Sequence, residues 1–322
     1  MIDAYAGWIG TVGAKVPLSG HELTANLPKN DQSQAFSRLA AVAGTSTCHL
    51  VMSRDPVFVK GVWGPYRDSI IPNYWMAEGG QSATGELLKH VLDTHPAFNQ
   101  ATSMAESYNT NIYDFLNEHL RDMQTKVNAP SIPYLGRHFF FYGDLFGNRS
   151  PIADPTMKGS VIGLSSDKSL DGMALYYYGT MEFIALQTKQ IISVMNESGH
   201  RISSIFMSGS QCQNDILMSL MATACEMPVL IPRYVHAAVV HGAAMLGAKA
   251  ASAGKDGKTE ELWSIMDRMS KPGRMVQPTE VKGVDELLKV KYTVFMEQCE
   301  RQREFRTMVD EVTMGKGSKN GG

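Results

Sequence analysis

Residues 202–251 carry the most legible stretch of the chain: "ISSIFMSGS" (202–210), "QNDILMSLMATACEM" (213–227), "PVLIP" (228–232) and "HAAVVHGAAMLGAKAA" (236–251). The first run is rich in residues that favour strands and ends in a Ser-Gly-Ser turn. The second reads as a helix, the third as a short strand, and the fourth as a helix of small residues. Strand, helix, strand, helix implies an α/β layered fold. The Ala and Gly content of the last helix lets a neighbouring helix or sheet approach closely.

Working outward, "FSRLAAVAGTSTCHLVMS" (36–53) gives an apolar run, a Gly-Thr-Ser-Thr turn and a second apolar run, the pattern of strand, tight turn, strand. Residues 56–80 are aromatic with Gly and Pro punctuation and predict short strands and loops. Helices are predicted at about 82–94, about 107–127 and about 170–197, the last ending at Gly199. Between them, "GDLFGNRSPIADPTMKGSVIGLS" (143–165) is a loop too long to be a mere connector. The polar stretch 19–34 predicts a surface insertion. Further helices are expected at about 258–270 and 283–314, followed by a flexible tail over 315–322. The expected division is a domain over 1–252, C-terminal helices over 253–314 packed on it, and the tail.

Composition narrows the function classes. Of 322 residues, 43% are hydrophobic and 19% charged, enough to bury a core. A formal net charge of -2 gives no electrostatic reason to expect nucleic acid or an anionic membrane as partner. No apolar run approaches the roughly 20 residues of a membrane span. Cys48, Cys212, Cys225 and Cys299 form no C-x-x-C pair and read as reduced thiols of a cytoplasmic protein. His90 and His95, like His236 and His241, are five apart. Neither pair shares a helix face, so both read as capping or surface histidines and no metal site is expected.

Four local patterns could carry chemistry. "AGTSTC" (43–48) is either a hairpin turn stabilised by its hydroxyls or a cradle for an anion, with Gly44 allowing close backbone approach. "MSGSQCQND" (207–215) is either a plain strand-to-helix connection or a nucleotide-facing helix start. It is neither a Walker loop nor a G-x-G-x-x-G fingerprint. In "WMAEGGQSATGELL" (75–88), Ser82 can cap the following helix, and Glu78 is either solvated or a polyol contact. Asp3, in "MIDAYAGWIG", is either a helix cap or a catalytic base facing a cleft.

Taken in order, Asp-Ala-aromatic-Ala-Gly, "GTSTCH", "EGGQSA", "GNRSP", the Gly/Asn turn and "GAAMLGA" resemble the C-terminal domain of the FGGY carbohydrate kinases, in the ribulokinase and D-ribulose kinase branch. The resemblance runs from Ile2 to about Ala251, more loosely beyond. It implies an actin-like (ribonuclease H-like) ATPase fold, the C-terminal half of a two-domain sugar kinase. The implied reaction is ATP-dependent phosphorylation of a ketopentose, D-ribulose before L-ribulose or another pentulose, with Mg2+ bridging the phosphates. Nucleotide binding without catalysis is the other reading. By the same resemblance Asp3 is the catalytic base and a sugar contact, with Glu78 and Gln81 further sugar contacts. Gly44, Thr45 and Ser46 would hold the β- and γ-phosphates. Gly85 would give a backbone contact to the nucleotide. Gly209 and Asn214 would lie beside adenine and ribose, with Gly242 in the helix packed nearby. Ser208-Gly209 stands where many members have Gly-Gly, which leaves Gln213 and Asn214 as alternatives for the side-chain contact. The family's N-terminal domain, with its D-x-G-T turn, is not among these 322 residues and is expected in cis on a longer chain. A homodimer is a further possibility.

Overall fold

A computed structural model describes residues 2–15 and 31–313. The insertion predicted over 19–34 falls outside the described residues up to position 30, and the tail 315–322 falls wholly outside them.

The strands are Arg38–Ala43 (β1), Thr47–Ser53 (β2), Trp63–Arg67 (β3), Trp75–Gln81 (β4), Phe140–Tyr142 (β5), Ser160–Ile162 (β6), Ser204–Ser208 (β7), Val229–Ile231 (β8) and Arg274–Val276 (β9). The helices are Asp3–Val12 (α1), Gly85–Asp93 (α2), Phe98–Ser107 (α3), Ile112–Lys126 (α4), Leu170–Glu197 (α5), Asp215–Cys225 (α6), Ala238–Ala251 (α7), Leu262–Met269 (α8) and Val284–Thr313 (α9). Seven strands form one mixed sheet in the order β3-β4-β2-β1-β7-β8-β9, and β5 and β6 make a separate ribbon. β1 is parallel to β7 and antiparallel to β2, with Val42 opposite Ser208 on one side and Cys48 on the other.

The central strands are apolar on both faces because helices cover both. Leu39, Ala41, Ile205, Met207 and Val229 point into the core beneath α5 and α6, while Ala40, Leu50, Phe206 and Leu230 point to the core beneath α1, α7 and α8. This is the alternation of a strand with period two. The small-residue helix α7 packs against α1, as its composition predicts. A Cβ on Gly242 would fall inside the Ala6 carbonyl, and one on Gly10 inside the Ala238 carbonyl. Only glycines permit that backbone contact.

The predicted hairpin over 36–53 and the long helix at 170–197 stand where the pattern puts them. Four elements went unforeseen. α3 buries only Ala101 and Ala105, too few apolar positions for a periodic signal. β5, β6 and β9 are three residues each, too short to alternate legibly. β9 nevertheless extends the main sheet, so the segment beyond residue 252 contributes a strand as well as helices. α2 starts after Thr84 rather than at a Ser82 cap.

α9 is pinned to α5 by a buried ion pair. Lys291 Nζ lies 2.6 Å from Glu182 Oε1 and donates to the carbonyls of Gly136 (2.6 Å) and Phe139 (2.9 Å). The Tyr178 hydroxyl donates to the other Glu182 oxygen at 2.6 Å. Burial raises the Glu182 carboxyl, and Lys291 opposes that shift. With every partner present the pair is tolerable in the interior; either charge alone would cost several kcal/mol.

Two histidines are buried and held neutral. Burial, reinforced by Arg149, lowers His49 to about 3, and burial lowers His200 to about 4. Above about pH 6.5 both are neutral whether the chain is folded or not. Below it the unfolded chain takes up the protons and the folded chain refuses them, so stability is lost as pH falls through that window. For His49 the slope is about 1.4 kcal/mol per pH unit. Urea denaturation of wild type and His49→Met between pH 6 and pH 4.5 is expected to show the variant flatter by about that slope. Parallel curves would mean that His49 is charged in the fold.

Candidate active site

The β1–β2 turn, Gly44–Ser46, is fixed from behind and open in front. Gly44 N–H donates to the Ser46 carbonyl at 2.9 Å, closing the turn. The Gly44 carbonyl accepts from Gly85 N–H (3.2 Å), from Gln211 Nε2 (2.8 Å) and, at longer range, from Thr84 Oγ1 (3.4 Å). The Thr45 carbonyl takes the N–H groups of Thr84 (2.9 Å) and Glu86 (3.2 Å). A Cβ on Gly85 would stand 2.6 Å from Gly44 O, so glycine is what lets α2 begin directly against the turn. Gln211 Nε2 also donates to Thr84 Oγ1 (2.7 Å), itself 2.9 Å from Thr47 Oγ1. Gly44 and Thr45 are exposed on the outer side and Ser46 partly so. Two hydroxyls and a Gly-bearing backbone there suit the oxygens of an anion.

Beside the turn, β7 ends on Gly209 at φ +102°, where a Cβ would collide with the Ala43 carbonyl. A short turn over Ser210–Gln213 then leads into α6. Gly85, Leu88, Tyr113, Gln211, Gln213 and Asn214 line a cleft of about 280 Å³. Asn214 caps α6, its Oδ1 accepting from Leu217 N–H at 3.1 Å, while its Nδ2 donates to the Tyr177 hydroxyl at 2.6 Å.

A charged cluster sits on the α1 side of the sheet. Glu78 in β4 is 7% exposed, and Arg149, from the loop after β5, donates to its Oε1 through Nη2 at 2.8 Å. Arg149 Nη1 lies 3.5 Å from Cys48 Sγ, and its guanidinium stacks 4.5 Å from the Trp63 ring centre. A Cβ on Gly80 would stand 3.2 Å from the guanidinium carbon, so that glycine leaves room for the flat group. Burial raises the Cys48 thiol; Arg149 opposes this, and the negative charges of Glu78 and Asp3 add to it. Asp3 opens α1, is exposed, and accepts from Ala4 N–H at 2.7 Å. Tyr5, two residues along, is pushed up to about 12 by burial and then by Glu78, so its phenol stays neutral.

The loop that carries Arg149 is braced by a buried carboxylate. Asp144, 4% exposed, accepts from Tyr142 Oη, Asn148 Nδ2 and Gln187 Nε2, each at 2.7 Å. Asn148 Oδ1 in turn accepts from Ile152 N–H at 3.0 Å. Burial raises the Asp144 carboxyl, and those three donors pull against it. The 143–157 loop is therefore a braced structure rather than a slack connector.

The structure thus groups Asp3 and Glu78, groups Gly44, Thr45 and Ser46, and places Gly85, Gly209 and Asn214 beside that turn. Three of the expected residues have placements of their own. Gln81 is not brought beside Glu78: three residues from it in one strand, it faces the opposite side of the sheet. It is 1% exposed there and donates to the Ile184 carbonyl of α5 at 3.0 Å. Gly85 N–H is spent on Gly44 O, so its part is to dock the helix and line the cleft. The Asn214 amide is committed to its cap and to Tyr177, whereas Gln213 is exposed at the rim, 3.0 Å from His236. Arg149 and Gln211 were missed. "GNRSP" flags the arginine locally, but its partners are 71 and 101 positions away.

Among the described residues no three His, Cys, Asp or Glu side chains gather into a metal site. Nor is any helix among them long and apolar enough to cross a membrane. The four cysteines are free thiols. A larger cavity, about 580 Å³ beside Tyr134, His138 and Tyr176, shares no lining residue with the 280 Å³ cleft.

Comparison with known proteins identifies the family. Residues 39–251 match the C-terminal domain of the FGGY family of carbohydrate kinases. A D-ribulokinase of Saccharomyces cerevisiae is 52% identical over 252 residues, covering 78% of this chain and 35% of that protein. An FGGY carbohydrate kinase domain-containing protein of Homo sapiens is 38% identical over 313 residues, covering 97% of this chain and 53% of that one. Among solved structures, a xylulose kinase from Rhodospirillum rubrum superposes with a TM-score of 0.65 at 17% identity, over 94% of this chain and 51% of its own. That likeness shows the fold alone, which is of actin-like type. The chain spans about half the length, or less, of these relatives.

The docking of α2 on the turn is open to test. Gly85→Ala places a methyl against the Gly44 carbonyl and is expected to destabilise the fold by about 1–3 kcal/mol in urea denaturation. An unchanged midpoint would show that the helix start is not held there.

Proposed function

The chain belongs to the FGGY family of carbohydrate kinases, and on that premise we propose that it supplies half of the site in which ATP phosphorylates a ketopentose, D-ribulose giving D-ribulose 5-phosphate. The observation that carries this reading is the pairing of an open, back-braced Gly44–Ser46 turn with an acid cluster of Asp3 and Glu78 on the neighbouring edge. The yeast D-ribulokinase and the "GTSTCH", "EGGQSA" and "GNRSP" motifs favour D-ribulose over L-ribulose and other pentuloses.

In this reading the Asp3 carboxylate accepts the proton of the terminal hydroxyl as that oxygen bonds to the γ-phosphorus. The bond from phosphorus to the bridging oxygen breaks, and ADP leaves with the electron pair. An exposed carboxylate at a helix start is free to face a hydroxyl brought in from the cleft. Thr45 and Ser46 offer hydroxyls to the β- and γ-phosphates, and Gln213 at the rim offers an amide to the nucleoside. Mg2+ would accompany ATP on its phosphates and offset their charge. The other wall of the cleft, with the D-x-G-T turn, would come from an N-terminal domain in the same polypeptide. Positioning from both walls is what phosphoryl transfer requires.

Asp3→Asn in the full-length protein is expected to lower kcat by about 10²–10⁴-fold with the D-ribulose KM changed only a few-fold. A loss below tenfold would remove Asp3 from the role of base, and absence of turnover with every pentulose in the wild type would remove the kinase reading itself.

A further inference from the structure

Arg149 has no role in the chemistry described so far, yet it is the best-held cation near the acid cluster. Its side chain is 20% exposed and that of Glu78 9%. The guanidinium lies between the Trp63 ring and the gap left by Gly80. It presents five N–H donors. Among the described residues Glu78 takes one, the Cys48 sulfur takes one weakly at 3.5 Å, and Nε has no partner. A surface ion pair needs no such construction; a planar donor array beside a carboxylate, one-fifth exposed, is built to read something.

The chemistry of the substrate says what. In a 2-ketopentose the terminal hydroxyl that receives the phosphate is also the hydroxyl that would close the furanose ring onto C2. The reacting sugar is therefore open-chain, with a free C2 carbonyl. A carbonyl oxygen only accepts, and prefers donors lying near its own plane. The neighbouring hydroxyls can donate to a carboxylate.

We propose that Arg149 is the residue that recognises this carbonyl, donating to the C2 oxygen of the open-chain ketose while Glu78 accepts from an adjacent hydroxyl. The pair thereby reads an α-hydroxyketone and favours ketoses over alditols, whose C2 bears a tetrahedral alcohol. The inference rests on the kinase reading above. Asp144 and Asn148 act as positioning residues, because they fix the loop from which Arg149 reaches across. Trp63 keeps the guanidinium plane from rotating.

The test compares kcat/KM for D-ribulose and for ribitol in the full-length protein. Wild type is expected to favour D-ribulose by about ten- to a hundredfold, the range of a hydrogen bond to a charged donor. In Arg149→Met the ratio is expected to collapse to within a few-fold of one. Arg149→Lys keeps a cation beside Glu78, and so the fold, but loses the planar array; an intermediate ratio is expected. A wild-type preference retained in both variants would overturn the inference whatever the absolute activity, since a merely structural arginine would scale both sugars alike. Should Arg149→Met not fold, an unchanged ratio in Arg149→Lys alone would overturn it. Wild type that phosphorylates neither sugar would instead bring down the kinase reading, and this inference with it.

Discussion

The carbonyl of Gly44 is the point on which the site depends. It gathers the N–H of Gly85, the amide of Gln211 and the hydroxyl of Thr84, and so joins the first hairpin, the start of α2 and the turn after β7 at one atom. Each bond is worth only about 1 kcal/mol net. Their combined effect is positional, since three elements far apart in sequence cannot drift separately while they share that acceptor. Glycine is required at the centre of this junction. Gly85 permits contact with Gly44 O, and Gly209 permits contact with Ala43 O. The anion-facing side of the turn is left open because its other side is so fully used.

The second half of the site obeys a different logic. Charges are buried around β4 and the 143–157 loop, and each is matched. Glu78 has Arg149, Asp144 has three neutral donors, and Glu182 has Lys291 and Tyr178 on the far side of the sheet. Asp144 is the instructive case: among the described residues no cation pairs with it, and three hydrogen bonds balance its burial. Such networks fix geometry more than they add stability. The geometry fixed here is the placement of a guanidinium.

Much of this was legible because its signals are local. The hairpin over 36–53, the helix over 170–197 and the strand-helix-strand-helix run after residue 202 each follow from periodicity and a nearby turn residue. The close packing of α1 on α7 follows from Gly and Ala content. "EGGQ" reads as one motif, yet strand alternation sends Glu78 and Gln81 to opposite faces. The same alternation separates the two glycines, Gly79 making room for Met195 of α5 and Gly80 for Arg149. The roles of Arg149 and Gln211 were not legible. They depend on partners more than 70 positions away, and no spacing rule within one segment reports that. Asp3 stood open between cap and base; the structure makes it the first residue of α1 with Ile2 in the cap position, exposed on the side where Glu78 and Arg149 act.

The most direct test of the whole arrangement is a crystal structure of the full-length protein with ADP and D-ribulose. The expected result has the β-phosphate over Gly44–Ser46 and the nucleoside in the cleft by Gln211 and Gln213, with the sugar between Asp3, Glu78 and Arg149. A sugar bound away from Glu78, or phosphates that leave the Gly44–Ser46 turn untouched, would contradict it.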